Sequence, residues 1–412
     1  MAYPDLKSPG ATNFAGLGTE ALTAWSRDFW AQARNNSFIN QFTGKGANSL
    51  VQRVTDLTKT KKGTRAVITL VNDLTGDGIM GDYQLEGNEE ALAASQIDIE
   101  IDQIRNATRS DGKLDEQKMI IQFREESRDK LAYWAADRID QVAFLTMSGV
   151  PYSRTNNGAT RASGTTGKNL TDLAFASDVT VPSNERHLCW STASSSTDLR
   201  TATTLDPAGA ATNDGTVLAD VLATPSYEMI VKLKAFAKDN YIRGVRGKGN
   251  DELFHLFMTP QGMAKLKLDS DFIANVRNAG VRGNKNELFA GSSSVVVDGV
   301  VVHEFRHVYS SQAAGGPSGS NGGAKLGSSN SSAAATQGDI DGQRALFCGA
   351  QALALADLGT ATWDEENFDY GNQQGISVAK MLGFRKPKFN SNYVSGSTAL
   401  QDFGIIALDT AI

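Results

Sequence analysis

The segment from Leu114 to Gly149 sets the scale of any fold this chain can adopt. Phe123, Ser127, Leu131, Trp134, Ile139, Val142 and Leu145 recur every three to five residues, with Arg124, Glu125, Arg128, Asp129 and Asp137 between them. That spacing predicts one amphipathic helix, and Gly149 followed by Pro151 supplies its stop. At about 1.5 Å per residue it would run about 50 Å, more than a compact domain needs. Such a helix serves as a scaffold for other layers rather than as one wall of a small active site.

Ahead of it, "RAVITLVNDL" from Arg65 and "IDIEIDQI" from Ile97 read as two strands of a long hairpin. The second alternates strictly. Ile97, Ile99 and Ile101 face one way, and Asp98, Glu100 and Asp102 the other. The first strand contributes Val67, Ile68 and Leu70, and the tip between the strands is rich in glycine and acid, with Asp77, Asp82, Glu86 and Glu89. A two-stranded hairpin alone is marginal in water, so its apolar positions need a covering surface.

Three motifs suggest chemistry, and each meets a local objection. His303, Glu304 and His307 form HExxH, which grips zinc only on a helix, where i and i+4 share a face. Here Val295–Val297, Asp298-Gly299 and Val300–Val302 predict a strand hairpin with a tight turn, which places the two imidazoles about 13 Å apart. No His or carboxylate follows before Asp339 to act as third ligand. Gly76, Gly78 and Gly81 match GxGxxG, but no helix start follows, and Asp77 and Asp82 would repel a pyrophosphate. EF-hand spacing from Asp73 reaches Gln84 where a bidentate Glu is required. The ladder Asp98, Glu100, Asp102 reads as a solvated or cation-matched face. Arg243, Arg246 and Lys248 in "YIRGVRGKGNDE" read as a solvated turn. The residues therefore point to no metal, no cofactor and no catalytic set.

The 412 residues carry a net charge of −6, which argues against a dedicated nucleic-acid binder. The charge is uneven: residues 1–65 hold nine basic and four acidic side chains, net +5, so the remainder carries −11. The beginning, with Arg27, Arg34, Arg53, Lys61 and Lys62, reads as a basic arm with one helix, "TEALTAWSRDFWAQAR". No apolar stretch approaches the ~20 residues of a membrane span, and the first residues lack a signal-peptide pattern. A cytoplasmic site of synthesis is expected, with Cys189 and Cys348 as buried free thiols.

Residues 152–224 and 310–338 are rich in Ser, Gly, Thr and Ala and read as surface loops around one strand, "RHLCWST". Between them the pattern predicts a helix from Tyr227, a strand at "ELFHLFMT" and a helix opened by Thr259 and Pro260. The run "RALFCGAQALALAD" and a closing strand pair, "GISVAKMLGF" with "FGIIALDT", end the chain.

The order of these parts resembles the major capsid proteins of tailed bacteriophages, an α+β fold of the Hong Kong 97 type. "LTGDGIMGDYQLEGNEEAL", "IDIEIDQIRNATRSDGKLDEQ" and "REESRDKLAYWAADRIDQVAFLTMSG" are similar to the N-four-like podovirus members, as are "VVVDGVVVHEFRHV" and "DFGIIALDTA". The resemblance implies an N-terminal arm over 1–64, an E-loop over 65–105 and a P-domain over 106–225 whose spine helix is 114–149. It further implies an A-domain over 226–359 and a return to the P-domain over 360–412. It implies a non-enzymatic shell subunit that assembles with itself as hexamers and pentamers into an icosahedral head around double-stranded DNA, with no sequence-specific contact to it.

The implied assembly contacts are Val67, Ile68, Leu70, Asp77, Asp82, Glu86, Glu89, Ile97, Ile99 and Ile101 of the E-loop, and Arg27, Arg34, Arg53, Lys61 and Lys62 of the arm. On this reading the arm is ordered chiefly by other subunits. The isoleucine face lies on a neighbour, and the carboxylates face solvent or the arm's basic residues. Asp73 to Ser95 contains no lysine, so crosslinking through the E-loop is not expected. With only about 64 residues ahead of the E-loop, a separate scaffold protein is expected, with a portal and a decoration protein as further partners. The competing readings are an encapsulin-like nanocompartment shell and a zinc metalloprotease.

Overall fold

The computed structural model describes residues 26–55, 63–71, 77–90, 94–118, 122–162, 167–191, 198–201, 224–247, 252–279, 294–313, 341–390 and 400–412. Where the sequence pattern predicts one helix from Leu114, the structure has two, Lys113–Lys118 and Phe123–Ser148. Gln122 is extended and caps the second.

The 26 residues of Phe123–Ser148 span about 39 Å. Glu125 and Glu126 occupy the first turn, where the helix dipole favours negative charge. At the other end Gly149 takes a left-handed φ of 67°, and its N–H reaches back to the carbonyls of Leu145 and Thr146. A Cβ there would lie 2.6 Å from the Thr180 carbonyl oxygen, so only glycine closes this helix.

The two halves of this helix meet different layers. Leu131, Ala132 and Ala135 pack with Phe29, Ala33, Trp363, Ile376 and Val378, whereas Ile139 to Met147 enter the main core beside Phe257, Leu346 and Leu408. From Val142 to Ser148 every side chain is buried, so amphipathicity gives way to all-round burial.

Two sheets flank the helix. The larger runs Ser294–Val297, Val300–Glu304, Glu252–Met258, Gly342–Cys348, Ile405–Ala411, His187–Ser191 and Asp198–Thr201, with Val245–Arg246 beside Glu252–Met258. Its central strands Gly342–Cys348 and Ile405–Ala411 are buried throughout, their polar Gln343, Arg344, Asp409 and Thr410 included. The helices Tyr227–Asp239 and Pro260–Leu268 follow the expected pattern, Ser270–Ala279 is a further helix that the sequence reading did not place, and the Thr259 hydroxyl accepts from Gly262 N at 3.2 Å as N-cap.

In the second sheet Gln373–Arg385 is the hub. It pairs with Leu353–Asp357, Thr362–Phe368 and Asp102–Arg109, and Val51–Val54 lies parallel to Leu353–Asp357. The closing segments therefore do not pair as the sequence suggests. Gln373–Arg385 belongs to this sheet and Ile405–Ala411 to the larger one, where the latter is buried on both faces in a central position.

The described part of residues 152–224 is more than surface loop. Phe175 and Trp190 are fully buried in the main core. Most of residues 310–338 lies outside the described residues.

Candidate assembly surface

The hairpin of the sequence reading forms. Arg65–Val71 pairs antiparallel with Ala94–Glu100, so Ala66 faces Ile99 and Ile68 faces Ile97 across the ladder. These four side chains are buried. Their cover comes from this chain: Ile99, Ala66 and Ile68 pack on Ala354 and Ala356, with Val54 and Ile101 at the edge. The expectation that a neighbouring subunit covers the isoleucine face is therefore corrected. Small alanines on Leu353–Asp357 leave room for the hairpin root, a fit that spacing along the hairpin itself does not reveal. Val67 points the other way and is exposed, and Leu70 lies in the strand with its side chain outside the described residues.

The carboxylates also find partners nearby rather than in the arm. Arg65, directly opposite, holds Glu100 at 2.6 Å and Asp98 at 3.7 Å, and Asp102 accepts from Ala174 N at 2.8 Å. Arg65 belongs to the paired strand, so register alone brings it there.

Beyond the ladder, residues 77–90 are irregular and exposed. Gly78 and Gly81 take φ of 73° and 67°, and no helix starts after them. Asp77, Asp82, Glu86 and Glu89 are exposed as expected. Sequence reading missed the apolar side chains among them. Met80 is 69% exposed, Tyr83 82% and Leu85 60%, with Ile79 beside them. The signal was present as four large apolar residues in a glycine-rich acidic turn, a composition that solubility alone disfavours.

The arm departs from expectation over residues 26–55. A helix over 26–36 buries Phe29 and Ala33, and Val51–Val54 joins the second sheet. The Ser37 hydroxyl and the Phe38 and Ile39 amides all donate to Asp140 of the long helix, at 2.7, 2.8 and 3.1 Å. This stretch is therefore seated on its own subunit, because Phe29, Ala33 and Ile39 bury apolar surface there. Arg27 and Arg34 are exposed, and Arg53 pairs with Asp357 at 2.5 Å. Lys61 and Lys62 lie outside the described residues.

The HExxH residues diverge. Val297 pairs with Val300 across Asp298 and Gly299, both at positive φ, as the tight turn requires. His303, on the strand Val300–Glu304, meets His255 of the adjacent strand at 3.0 Å and packs against Phe42 and Phe257. His307 instead contacts Asp137 at 2.8 Å. Among the described residues, no three His, Cys, Asp or Glu side chains converge as a metal site.

Burial pushes His303 down to about 4, with His255 adding to it, and burial also lowers His255 and His307. The unfolded chain binds these protons near 6.5 and the folded chain does not, so stability falls as pH drops from about 6.5 toward 4. Burial pushes Asp140 up to about 6, which acts in the opposite sense over the lower part of that window. In urea unfolding of unassembled subunits at pH 7 and 4.5, His303→Phe should therefore lose less on acidification than the parent. The difference should be about 1–2 kcal/mol once solvent screening is allowed for. Identical losses would contradict this assignment.

A family model described as phage capsid protein matches residues 13–412. The chain is 51% identical over 395 residues to the major capsid protein of Pseudomonas phage KPP25, covering 96% of each. This chain belongs to the phage capsid protein family. Its structure is similar to the capsid of Ralstonia phage GP4, with a TM-score of 0.64, 22% identity and coverage of 91% of this chain and 90% of that one. The cyanophage Pam1 capsid gives 0.62 at 16% identity, covering 91% and 92%. The fold is the Hong Kong 97-type capsid fold, and the chain is a structural capsid subunit of the virion.

Proposed function

We propose that this capsid protein assembles with copies of itself as hexamers and pentamers, forming the icosahedral head around phage double-stranded DNA, and that it catalyses no reaction. The observation that carries this reading is the E-loop itself. Its root is anchored on the subunit's own alanines, while its tip holds Ile79, Met80, Tyr83 and Leu85 out to water. A rigid base with an uncovered apolar end suits an element completed by another copy. The exposed Arg27 and Arg34 of the arm and the tip carboxylates Asp77, Asp82, Glu86 and Glu89 supply charged contacts that fix register between copies.

A separate scaffold protein during assembly in the host cytoplasm, a portal at one vertex and a decoration protein complete the expected partners. The domain bounds at 64, 105, 225 and 359 belong to the same reading. Negative-stain electron microscopy of the full-length chain, expressed with and without its scaffold, tests it. Closed shells with six-fold and five-fold capsomers are expected, and a subunit that stays monomeric under both conditions contradicts the proposal.

A further inference from the structure

His303 has a partner that shell assembly does not explain. In the larger sheet, parallel register sets Val301 opposite His255, so His303, two residues further along its strand, shares a face with His255. His255 Nδ1 and His303 Nε2 lie 3.0 Å apart, with the two rings inclined by 20°.

Aromatic side chains fix both rings. Phe42 meets each imidazole edge-on, Phe38 meets His303 in the same way, and Phe257 stacks on both. The two histidines are half-buried, which leaves the pair reachable from solvent. Burial alone lowers His255, and burial followed by His255 lowers His303, so both imidazoles are neutral at pH 7. That is the form that ligates a metal. His187 and His307 differ, because each contacts a carboxylate, Asp409 and Asp137.

The separation of the nitrogens selects a coordination geometry. With metal–nitrogen bonds of about 2.0–2.1 Å, nitrogens 3.0 Å apart subtend about 91–97° at the metal. A tetrahedral zinc site needs about 109°. A near-right angle suits the square-planar or tetragonal preference of copper(II) and nickel(II).

We propose that His255 and His303 form a two-histidine site for a divalent transition metal of tetragonal preference, copper(II) or nickel(II), with water in the remaining positions. On binding, the proton in the His–His hydrogen bond moves to the outer nitrogen of its own ring, and the two freed lone pairs replace two waters on the metal. Net protonation does not change. The metal ties Val300–Glu304 to Glu252–Met258 beside Phe38 and Phe42, so its occupancy stabilises the folded subunit, whether or not shells form.

Thermal melting of the full-length subunit, stripped with a chelator and titrated with copper(II), nickel(II) or zinc(II) chloride, tests it. The melting temperature should rise most with copper(II), and more with nickel(II) than with zinc(II). Either His255→Phe or His303→Phe should weaken the apparent affinity by about tenfold or more, since changes even to groups that only support a ligand cost about that much. Phenylalanine keeps the aromatic packing, and melting of the metal-free variants separates lost binding from lost folding. Electron paramagnetic resonance of the copper-loaded parent needs no variant. It should show a tetragonal copper(II) signal split by imidazole nitrogen.

A parent whose melting does not respond to copper(II) or nickel(II) would overturn the proposal. So would affinity unchanged in both variants, or a copper signal without nitrogen splitting, either of which marks adventitious surface binding. A zinc(II) response as large as that to nickel(II) would overturn the tetragonal assignment.

Discussion

Replacing Arg344 with Met should destabilise the unassembled subunit by about 3–5 kcal/mol, the cost of leaving a buried carboxylate without its counter-ion. Arg344 and Asp409 have no exposure at all. Their bidentate contact, 2.9 Å from Nε and 3.2 Å from Nη2, ties the strand Gly342–Cys348 to the C-terminal strand. A third donor, Nη1, reaches the Ser148 carbonyl at 3.0 Å, at the last turn of the long helix, where the dipole favours a cation. His187 completes the cluster by meeting Asp409 at 2.7 Å. Burial alone would push the Asp409 carboxyl up, but Arg344 first and then His187 hold it below its usual range.

Arg344 thus joins both central strands and the scaffold helix at one point. Its loss unbalances all three. Chemical unfolding of subunits measures the effect, and Arg344→Met combined with Asp409→Leu should recover much of the loss, since no charge is then left unpaired. A loss under about 1 kcal/mol for Arg344→Met would contradict the role assigned to this cluster.

Changing Ile79, Met80, Tyr83 and Leu85 together to Ser should have the opposite profile. Subunit stability should stay within about 0.5 kcal/mol of the parent, because these side chains already lie in water when the subunit is alone. Assembly should fail. Each large apolar side chain fully covered by another copy contributes about 1.5–3 kcal/mol to the contact, and every subunit of a shell would lose the set. Sedimentation of assembly reactions beside urea unfolding of the free subunit measures both quantities. A subunit that unfolds more easily yet still builds shells would show that the tip serves its own chain instead.

Much of this architecture was readable along the chain because it rests on local periodicity. The alternation from Ile97, the Asp298-Gly299 turn and the Thr259-Pro260 helix start each depend on neighbours within a few residues. What escaped reading depends on distant residues meeting. His187 and Arg344 each stand at the start of an apolar run and Asp409 at the end of another, and only the order of strands in the large sheet brings them together. Likewise nothing near Ile99 announces Ala354 and Ala356 as its cover, and nothing near Ser37 announces Asp140.

The HExxH string follows the same local rule, since its β-branched flanks read as a strand hairpin and form one. Its spacing suits zinc, but the strand Val300–Glu304 sends His303 to His255, and His307, in the turn past the strand's end, lies beside Asp137. At the tip, the acidic residues were legible while the apolar ones between them were passed over, because single apolar residues in turns usually need no explanation.

A cryo-electron microscopy reconstruction of shells assembled from the full-length chain tests the central claim most directly. The account predicts density for residues 77–90 lying against an adjacent copy, with Ile79, Met80, Tyr83 and Leu85 covered there and the hairpin root still on Ala354 and Ala356 of its own subunit. Tips that project freely into solvent, or fold back onto the subunit that carries them, would contradict it.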